Sequence, residues 1–290
     1  MFDVTAGAAR VGARIEPVSD LLQRGVRAGL GALPRETRDA LDGTWLGAPL
    51  HAALTDVPIG ASTVAVVSDA ARVVSGAESL DAASDAAVTV AVLAAVPAAQ
   101  VRPVVRPRQR GEPKRVGAVH AILNSVALVL NVLSLRARWR GDRGRGRLLS
   151  TLGFGVSSVA AHLGGQLSFG LGVRVDRTAF ESRPAEFVPV LDDAELGATE
   201  VRGVEVDGAD VLLARVGGRV CAIGATCTHL GGPLAQGERR DDSIVCPWHG
   251  SRFDLCSGAV IDGPAVFPQP RYDVRVAGGK IEVRTGGGDG

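Results

Sequence analysis

The sequence predicts a multidomain chain: an all-α four-helix bundle of membrane-spanning length, followed by an all-β domain. Three observations predict it. The patterning changes near residue 175, from apolar runs of helical length to short alternating runs broken by Gly, Asp and Pro. The apolar runs before that point are separated by arginine-rich breaks. After it, the chain places two cysteines and two histidines in two short loops crowded with glycine and proline, "CTHLGGPL" and "CPWHGS".

The 290 residues suit two domains of ordinary size. A net charge of +1 gives no global pull toward nucleic acid, and none is expected as a partner. Four cysteines in a chain this long do not make a disulfide framework. The opening residues "MFDVTAGAARVGARIEPVSD" have neither the apolar core nor the cleavage site of a secretory signal.

Residues 1–45 read as an amphipathic arm, with Leu21, Leu22, Val26 and Leu30 at helical spacing between charges. The bundle is expected over 46–173. Its four apolar segments are Val57–Ser75, interrupted by Asp69 and Arg72; Ala86–Val101, which carries Pro97; Val116–Leu135; and Leu148–Val173. The last two are uncharged and long enough to cross a hydrocarbon core. Asp69 and Arg72 are expected to face inward or to lie near an interface. Ser157, Ala161 and Gly165 recur every fourth position and predict a close-packing face. An alanine-rich soluble bundle is the alternative.

Four spans put the N-terminus, the second loop and the C-terminal domain on one side. That side collects Arg102, Arg106, Arg108, Arg110, Lys114, Arg115, Arg174 and Arg177 besides the N-terminal arginines. The balance predicts a multi-pass protein of the cell membrane, with both termini and the β domain cytoplasmic. The third loop, "RARWRGDRGRGR", is also strongly basic and conflicts with that orientation.

A linker is expected at 174–186, the β domain at 187–284 and a disordered tail at 285–290. "VLLARV", "VCAI", "SIVC", "YDVRV" and "KIEVR" read as strands, with turns at Gly217-Gly218, Asp241-Asp242 and Gly278-Gly279.

Cys227-x-His229 and Cys246-x-x-His249 offer two thiolates and two imidazoles, one of each per loop. Zinc is the first candidate for such a set. Zinc fingers, however, pair Cys with Cys and His with His, whereas here each loop is mixed. The glycines allow a bulky cluster to approach the backbone. "CTHLGGPL" followed by "CPWHGSRFD", and then "GAVIDGPAVFPQPRYDVRV", resemble the two cluster loops, the proline loop and the last strands of the Rieske [2Fe–2S] family over Phe187 to Val283. The resemblance implies that Cys227 and Cys246 hold one iron and His229 and His249 the other.

Respiratory Rieske proteins carry an additional cysteine in each loop; here those positions are Gly232 and Trp248, as in the oxygenase and ferredoxin branch. The Tyr hydroxyl that serves the high-potential branch is replaced by Phe253, while Ser251 is kept. Fewer hydrogen bonds to sulfur predict a potential in the lower half of the Rieske range, which runs from about −150 to about +300 mV. Cys221 and Cys256 read as buried, unreactive thiols, and nothing in the sequence supports a bond between them.

The remaining histidines, His51, His120 and His162, all lie in the helical half, which holds no cluster of two His and a carboxylate for a mononuclear iron. The chain is therefore expected to move single electrons rather than to act as a stand-alone oxygenase. In an up-down bundle these three histidines fall toward one leaflet. They read either as polar packing, against a backbone carbonyl or Asn124, Asn131 or Asp56, or as ligands of a haem b or another metal.

"LDGTWLGAPLHAALTDVPIG" and "GGQLSFGLGV" resemble an uncharacterised bacterial four-helix membrane domain that is often fused to Rieske domains. That family commonly reads His-Pro-Leu-His-Pro where this chain has Ala48-Pro49-Leu50-His51-Ala52, so the first histidine of the pair is missing.

The reading that follows is a membrane-anchored electron-transfer protein with one [2Fe–2S] cluster, whose partner is a redox protein or a quinone. The alternatives are a quinone- or haem-linked membrane oxidoreductase with the cluster as its internal relay, and a redox sensor.

Overall fold

The computed structural model describes residues 4–17, 20, 24, 32–98 and 111–286. Leu21, Leu22, Val26 and Leu30 of the expected arm, the loop arginines 102, 106, 108 and 110, and tail residues 287–290 lie outside them.

Among the described residues six α-helices precede the strands: α1 (Val4–Arg14), α2 (Arg35–Asp42), α3 (Leu50–Ser75), α4 (Ser79–Ala98), α5 (Glu112–Trp139) and α6 (Arg143–Gly165). The last four are long and apolar enough to cross a membrane. Each begins before the apolar run that announces it.

The chain divides into two compact units, and the division departs from the expected boundaries. The helical unit comprises residues 1–34 and Leu50–Val173; the β unit comprises Arg35–Pro49 and Arg174–Gly290. The segment of α2 and the following 3₁₀ turn (Thr44–Leu46) thus belongs with the strands, and so does the expected linker. That linker is tied down: Arg177 N–H donates to Thr228 O at 3.2 Å, and Thr285 N–H to Pro184 O at 2.7 Å.

In the helical unit α3 pairs with α4 and α5 with α6, and α1 packs along α5. Gly12 abuts the α5 backbone so closely that a Cβ there would meet Arg115 O at 2.5 Å. One end of the bundle is closed by Ala65, Ala87, Val88 and Leu135, beside a buried arginine. Arg138 Nη1 donates to Asp69 Oδ1 at 3.1 Å, Ser84 Oγ at 2.9 Å and Asp85 Oδ1 at 3.1 Å; Nη2 donates to Ser150 Oγ at 3.0 Å and pairs with Asp69 Oδ2. Asp69 therefore faces inward as expected, and Arg72 pairs with Asp81 at 3.1 Å.

Arg143 and Arg147 of the basic third loop bind Asp85 and Asp81 at 2.7 and 2.9 Å, so part of that loop's charge holds the bundle together. The close-packing face of α6 is not Ser157, Ala161 and Gly165; Ala161 is exposed. Gly146, Gly153 and Ala160, seven residues apart, form it instead, because the bulky partners Arg138 and Asn131 face those positions.

The β unit has two antiparallel sheets. The larger has the order β1-β10-β9-β4-β3-β2, made of β1 (Val188–Asp192), β2 (Val201–Val206), β3 (Ala209–Val216), β4 (Arg219–Gly224), β9 (Arg271–Ala277) and β10 (Lys280–Thr285). The smaller has the order β5-β6-β7-β8: Glu238–Arg240, Ser243–Val245, Arg252–Asp254 and Val260–Asp262. The three predicted turns join β3 to β4, β5 to β6 and β9 to β10. β3 is buried on both faces: Leu212 and Ala214 meet Ile244, Phe253 and Leu255 of the smaller sheet, while Val211 and Leu213 meet Tyr272, Ile281 and Val283.

Candidate metal centre

Two loops carry the candidates: residues 225–237 connect β4 of the larger sheet to β5 of the smaller, and residues 246–251 connect β6 to β7. They share one construction. Cys227 N–H donates to Gly232 O at 2.8 Å and Cys227 O accepts from Gly231 N–H at 2.8 Å; Cys246 N–H donates to Ser251 O at 2.8 Å and Cys246 O accepts from Gly250 N–H at 3.0 Å. Each turn thus closes from the cysteine onto the fourth and fifth residues beyond it. The fourth is a left-handed glycine, Gly231 at φ 76° and Gly250 at φ 75°, a conformation that costs residues with a Cβ about 1–2 kcal/mol.

The turns bring their ligand candidates together in like pairs. Cys227 and Cys246 are buried members of the core between the sheets. The Cys246 thiol beside it, and then burial, push the Cys227 thiol far above its ordinary range. Two such sulfurs become thiolates together only with cations to hold them. His229 and His249 have ring centres 5.0 Å apart, with ring planes at 89°.

Among the described residues no three of His, Cys, Asp and Glu converge on one ion. The donors stand in like pairs, thiol by thiol and imidazole by imidazole, which fits a binuclear group in which each iron takes one pair. Space is reserved for it. A Cβ on Gly232 would sit 2.7 Å from Cys246 Sγ and 3.2 Å from the Trp248 ring, so glycine lets the Cys246 sulfur and the Trp248 ring stand where they do. A [2Fe–2S] cluster would be held by Cys227 and Cys246 on one iron and His229 and His249 on the other, and would supply one-electron chemistry.

The third loop, 263–270 between β8 and β9, is pinned to both cysteine loops. Thr228 Oγ1 donates to Phe267 O at 2.8 Å, and the Gln269 amide bonds Thr226 O and Thr228 N–H at 3.0 Å each. Ala265 N–H donates to Ser251 Oγ at 3.0 Å. From the other side comes the segment 35–49. Arg35 pairs with Asp262 at 2.5 Å, and Gly263 N–H donates to Asp39 Oδ1 at 3.1 Å. Asp42 and Pro49 line a small pocket together with Thr228, His229 and Pro264. Sequence reasoning missed this segment; a helix separated from Asp262 by four long helices leaves no local signal.

Two expectations need correction. Cys221 and Cys256 are not free thiols: they form a disulfide, Cα–Cα 4.9 Å, joining β4 of the larger sheet to the turn after β7 of the smaller. The three helical histidines do not form one group. His51 and His120 come together, with ring centres 6.3 Å apart, whereas His162 is exposed and takes no part. Asn131 and Asp56 are not their partners among the hydrogen bonds of the described residues; the carbonyls of Ala98 and Ala160 are, and Asn124, also expected, has its Nδ2 3.2 Å from His120 Nε2.

A β domain that offers two buried thiols and two imidazoles, pair by pair, from matched glycine turns is an iron–sulfur domain of the one-electron class. Residues 186–273 match the family described as "Rieske [2Fe-2S] domain", and residues 47–177 match that described as "Predicted membrane protein (DUF2231)". The chain belongs to the Rieske [2Fe–2S] family through its β unit, with a DUF2231 domain ahead of it.

Similar proteins include the "Naphthalene 1,2-dioxygenase system, ferredoxin component" of Pseudomonas aeruginosa, 30% identical over 89 residues, which are 31% of this chain and 86% of that protein. "Apoptosis-inducing factor 3" of Mus musculus is 32% identical over 85 residues, covering 29% of this chain and 14% of its own length. The "Cytochrome b6-f complex iron-sulfur subunit" of Chlorobaculum tepidum is 31% identical over 106 residues, covering 34% of this chain and 58% of its own length. The chain therefore spans less than two thirds of the last two.

Proposed function

We propose that the chain is a membrane-anchored one-electron carrier. Its single [2Fe–2S] cluster is held by Cys227, Cys246, His229 and His249, and it exchanges electrons with a redox partner protein. The observation that carries this reading is the pair of identically built turns, which gather the thiols and the imidazoles two by two. Anchoring is supported by four helices of spanning length within a domain described as a membrane protein. The partner class is supported by the ferredoxin and cytochrome-complex names of the relatives. A quinone is the second candidate partner; a bundle-bound haem would make the cluster an internal relay.

Phe253 supports the lower-potential branch. Its ring is fully buried in the core beside Cys246 and has no donor to offer. Electron paramagnetic resonance with redox titration, on membranes holding the full-length chain, tests the reading. The expected result is one reduced [2Fe–2S] signal per chain with a midpoint in the lower half of about −150 to +300 mV, lost in Cys246→Ser. A chain that takes up only zinc overturns it.

The distribution of arginines supports a cytoplasmic β unit. The Cys221–Cys256 disulfide supports the opposite face, since such bonds persist in oxidising compartments. Trapping the thiols in intact cells decides between them. A reduced pair shielded from a membrane-impermeant reagent fits the cytoplasmic face, and an oxidised pair accessible to an impermeant reductant fits the other.

A further inference from the structure

The turn from α5 into α6 carries six arginines between residues 136 and 147, and the fold uses them in two ways. Three are taken up by the bundle: Arg138 is buried against Asp69, Arg143 pairs with Asp85 at 2.7 Å, and Arg147 with Asp81 at 2.9 Å. The other three, Arg136, Arg140 and Arg145, are exposed, and their guanidinium groups enter no ion pair or hydrogen bond among the described residues. The acids at this end are mostly committed. Asp69, Asp81 and Asp85 serve the inner three arginines, and Asp142 caps α6, its Oδ1 accepting Arg145 N–H at 3.1 Å. Glu78, in the turn between α3 and α4, is the other acid there among the described residues.

The outer three arginines continue apolar strips. Along α5 and its cap, Val129, Val132, Leu133, Arg136, Trp139 and Arg140 follow at steps of three or four and are all exposed. On α6, Leu152 and Leu148 lead to Arg145 in the same way. On both helices the exposed strip changes from aliphatic to cationic within one turn. Trp139, 76% exposed, sits at that change, as tryptophan does where hydrocarbon meets headgroups. Valine and leucine on these strips suit acyl chains, so the arginines fall at the level of the lipid phosphates, within reach of their long stems. A guanidinium presents a planar fork of donors that matches phosphate oxygens.

We infer that this end of the bundle binds anionic phospholipid headgroups, with Arg136, Arg140 and Arg145 donating to phosphate and Trp139 as the interfacial anchor. The continuity of each arginine with an aliphatic strip selects the occupant: a molecule with phosphate at one end and hydrocarbon at the other. The uncommitted charges select its sign. A zwitterionic lipid brings its own ammonium and leaves the arginines uncompensated, whereas each arginine beside an anionic surface strengthens binding by roughly fivefold. The inference rests on the membrane anchoring proposed above and is independent of the iron–sulfur centre.

The test uses the full-length chain, extracted from membranes in detergent and titrated with phosphatidylglycerol or phosphatidylcholine, with bound lipid counted by native mass spectrometry. The expected result is tighter binding of phosphatidylglycerol, by about tenfold or more. Arg136→Gln with Arg140→Gln and Arg145→Gln removes that preference, with helix content and the unfolding midpoint unchanged. Trp139→Ala weakens both lipids and leaves the preference. The same charge change on the β unit, Arg202→Gln with Arg240→Gln and Arg275→Gln, leaves it intact. A chain that leaves the membrane without detergent overturns the anchoring and this inference with it. A chain that needs detergent but binds both lipids alike overturns this inference alone, as does a preference that survives the first triple variant or falls equally in the second. Inorganic phosphate that displaces the lipid at equal concentration marks a bare anion site and overturns it too.

Discussion

The chain holds two near-perpendicular pairs of imidazoles, built by opposite means. His229 and His249 stand on loops, each fixed by a turn that closes within five residues of its cysteine. His51 and His120 stand on regular helices, each oriented by a carbonyl 47 or 40 residues away in sequence. The first pair is a product of local backbone chemistry and the second of tertiary packing. Damage to either unit should therefore be visible at its own pair and silent at the other.

Gly232→Ala strikes the cluster loops. A Cβ 2.7 Å from Cys246 Sγ forces that sulfur or the facing Trp248 ring to shift, and cluster content, read by its visible absorption, should fall below wild type while helix content is unchanged. Arg138→Ala strikes the helical unit instead. It leaves buried Asp69 with only the longer, 3.8 Å contact to Arg147, and breaking a buried pair costs about 3–5 kcal/mol. Denaturation followed on the helices should show that loss, with the cluster resonance intact.

Cys221→Ser with Cys256→Ser removes a bridge that closes 35 residues of chain between the two sheets. The β unit should lose about 2–4 kcal/mol, measurable by its unfolding midpoint. Phe253→Tyr should act least on stability and sharpen the electronic contrast. A phenol donating one hydrogen bond of about 1.5 kcal/mol to sulfur raises the midpoint potential by on the order of 60 mV, at 59 mV per tenfold change. An unchanged potential would remove the argument for the lower branch.

The same contrast governs what could be read from the sequence. The cysteine loops were legible because their glycines and ligands sit within a few residues of one another. The strands at 211–216, 220–223 and 272–276 were legible from their alternation, and the four long helices from their apolar runs. Strands β1, β2, β5, β7 and β8 were not, being short or interrupted by Pro, Gly and charge. The disulfide escaped because Cys221 and Cys256 meet only when the two sheets stack. The packing face of α6 escaped because its partners, Arg138 and Asn131, lie on another helix. His162 was grouped with the other two histidines by depth alone, and depth does not say which way a helix is turned.

The β unit is not continuous along the chain. Residues 35–49 are made first, the four long helices follow, and only then come the strands those early residues clasp through Arg35 and Asp39. During synthesis the clasp must wait, tethered, while more than a hundred residues are laid down before the loop it fastens exists. A fragment cut to begin at the first strand would therefore leave the roof of its metal centre unlatched.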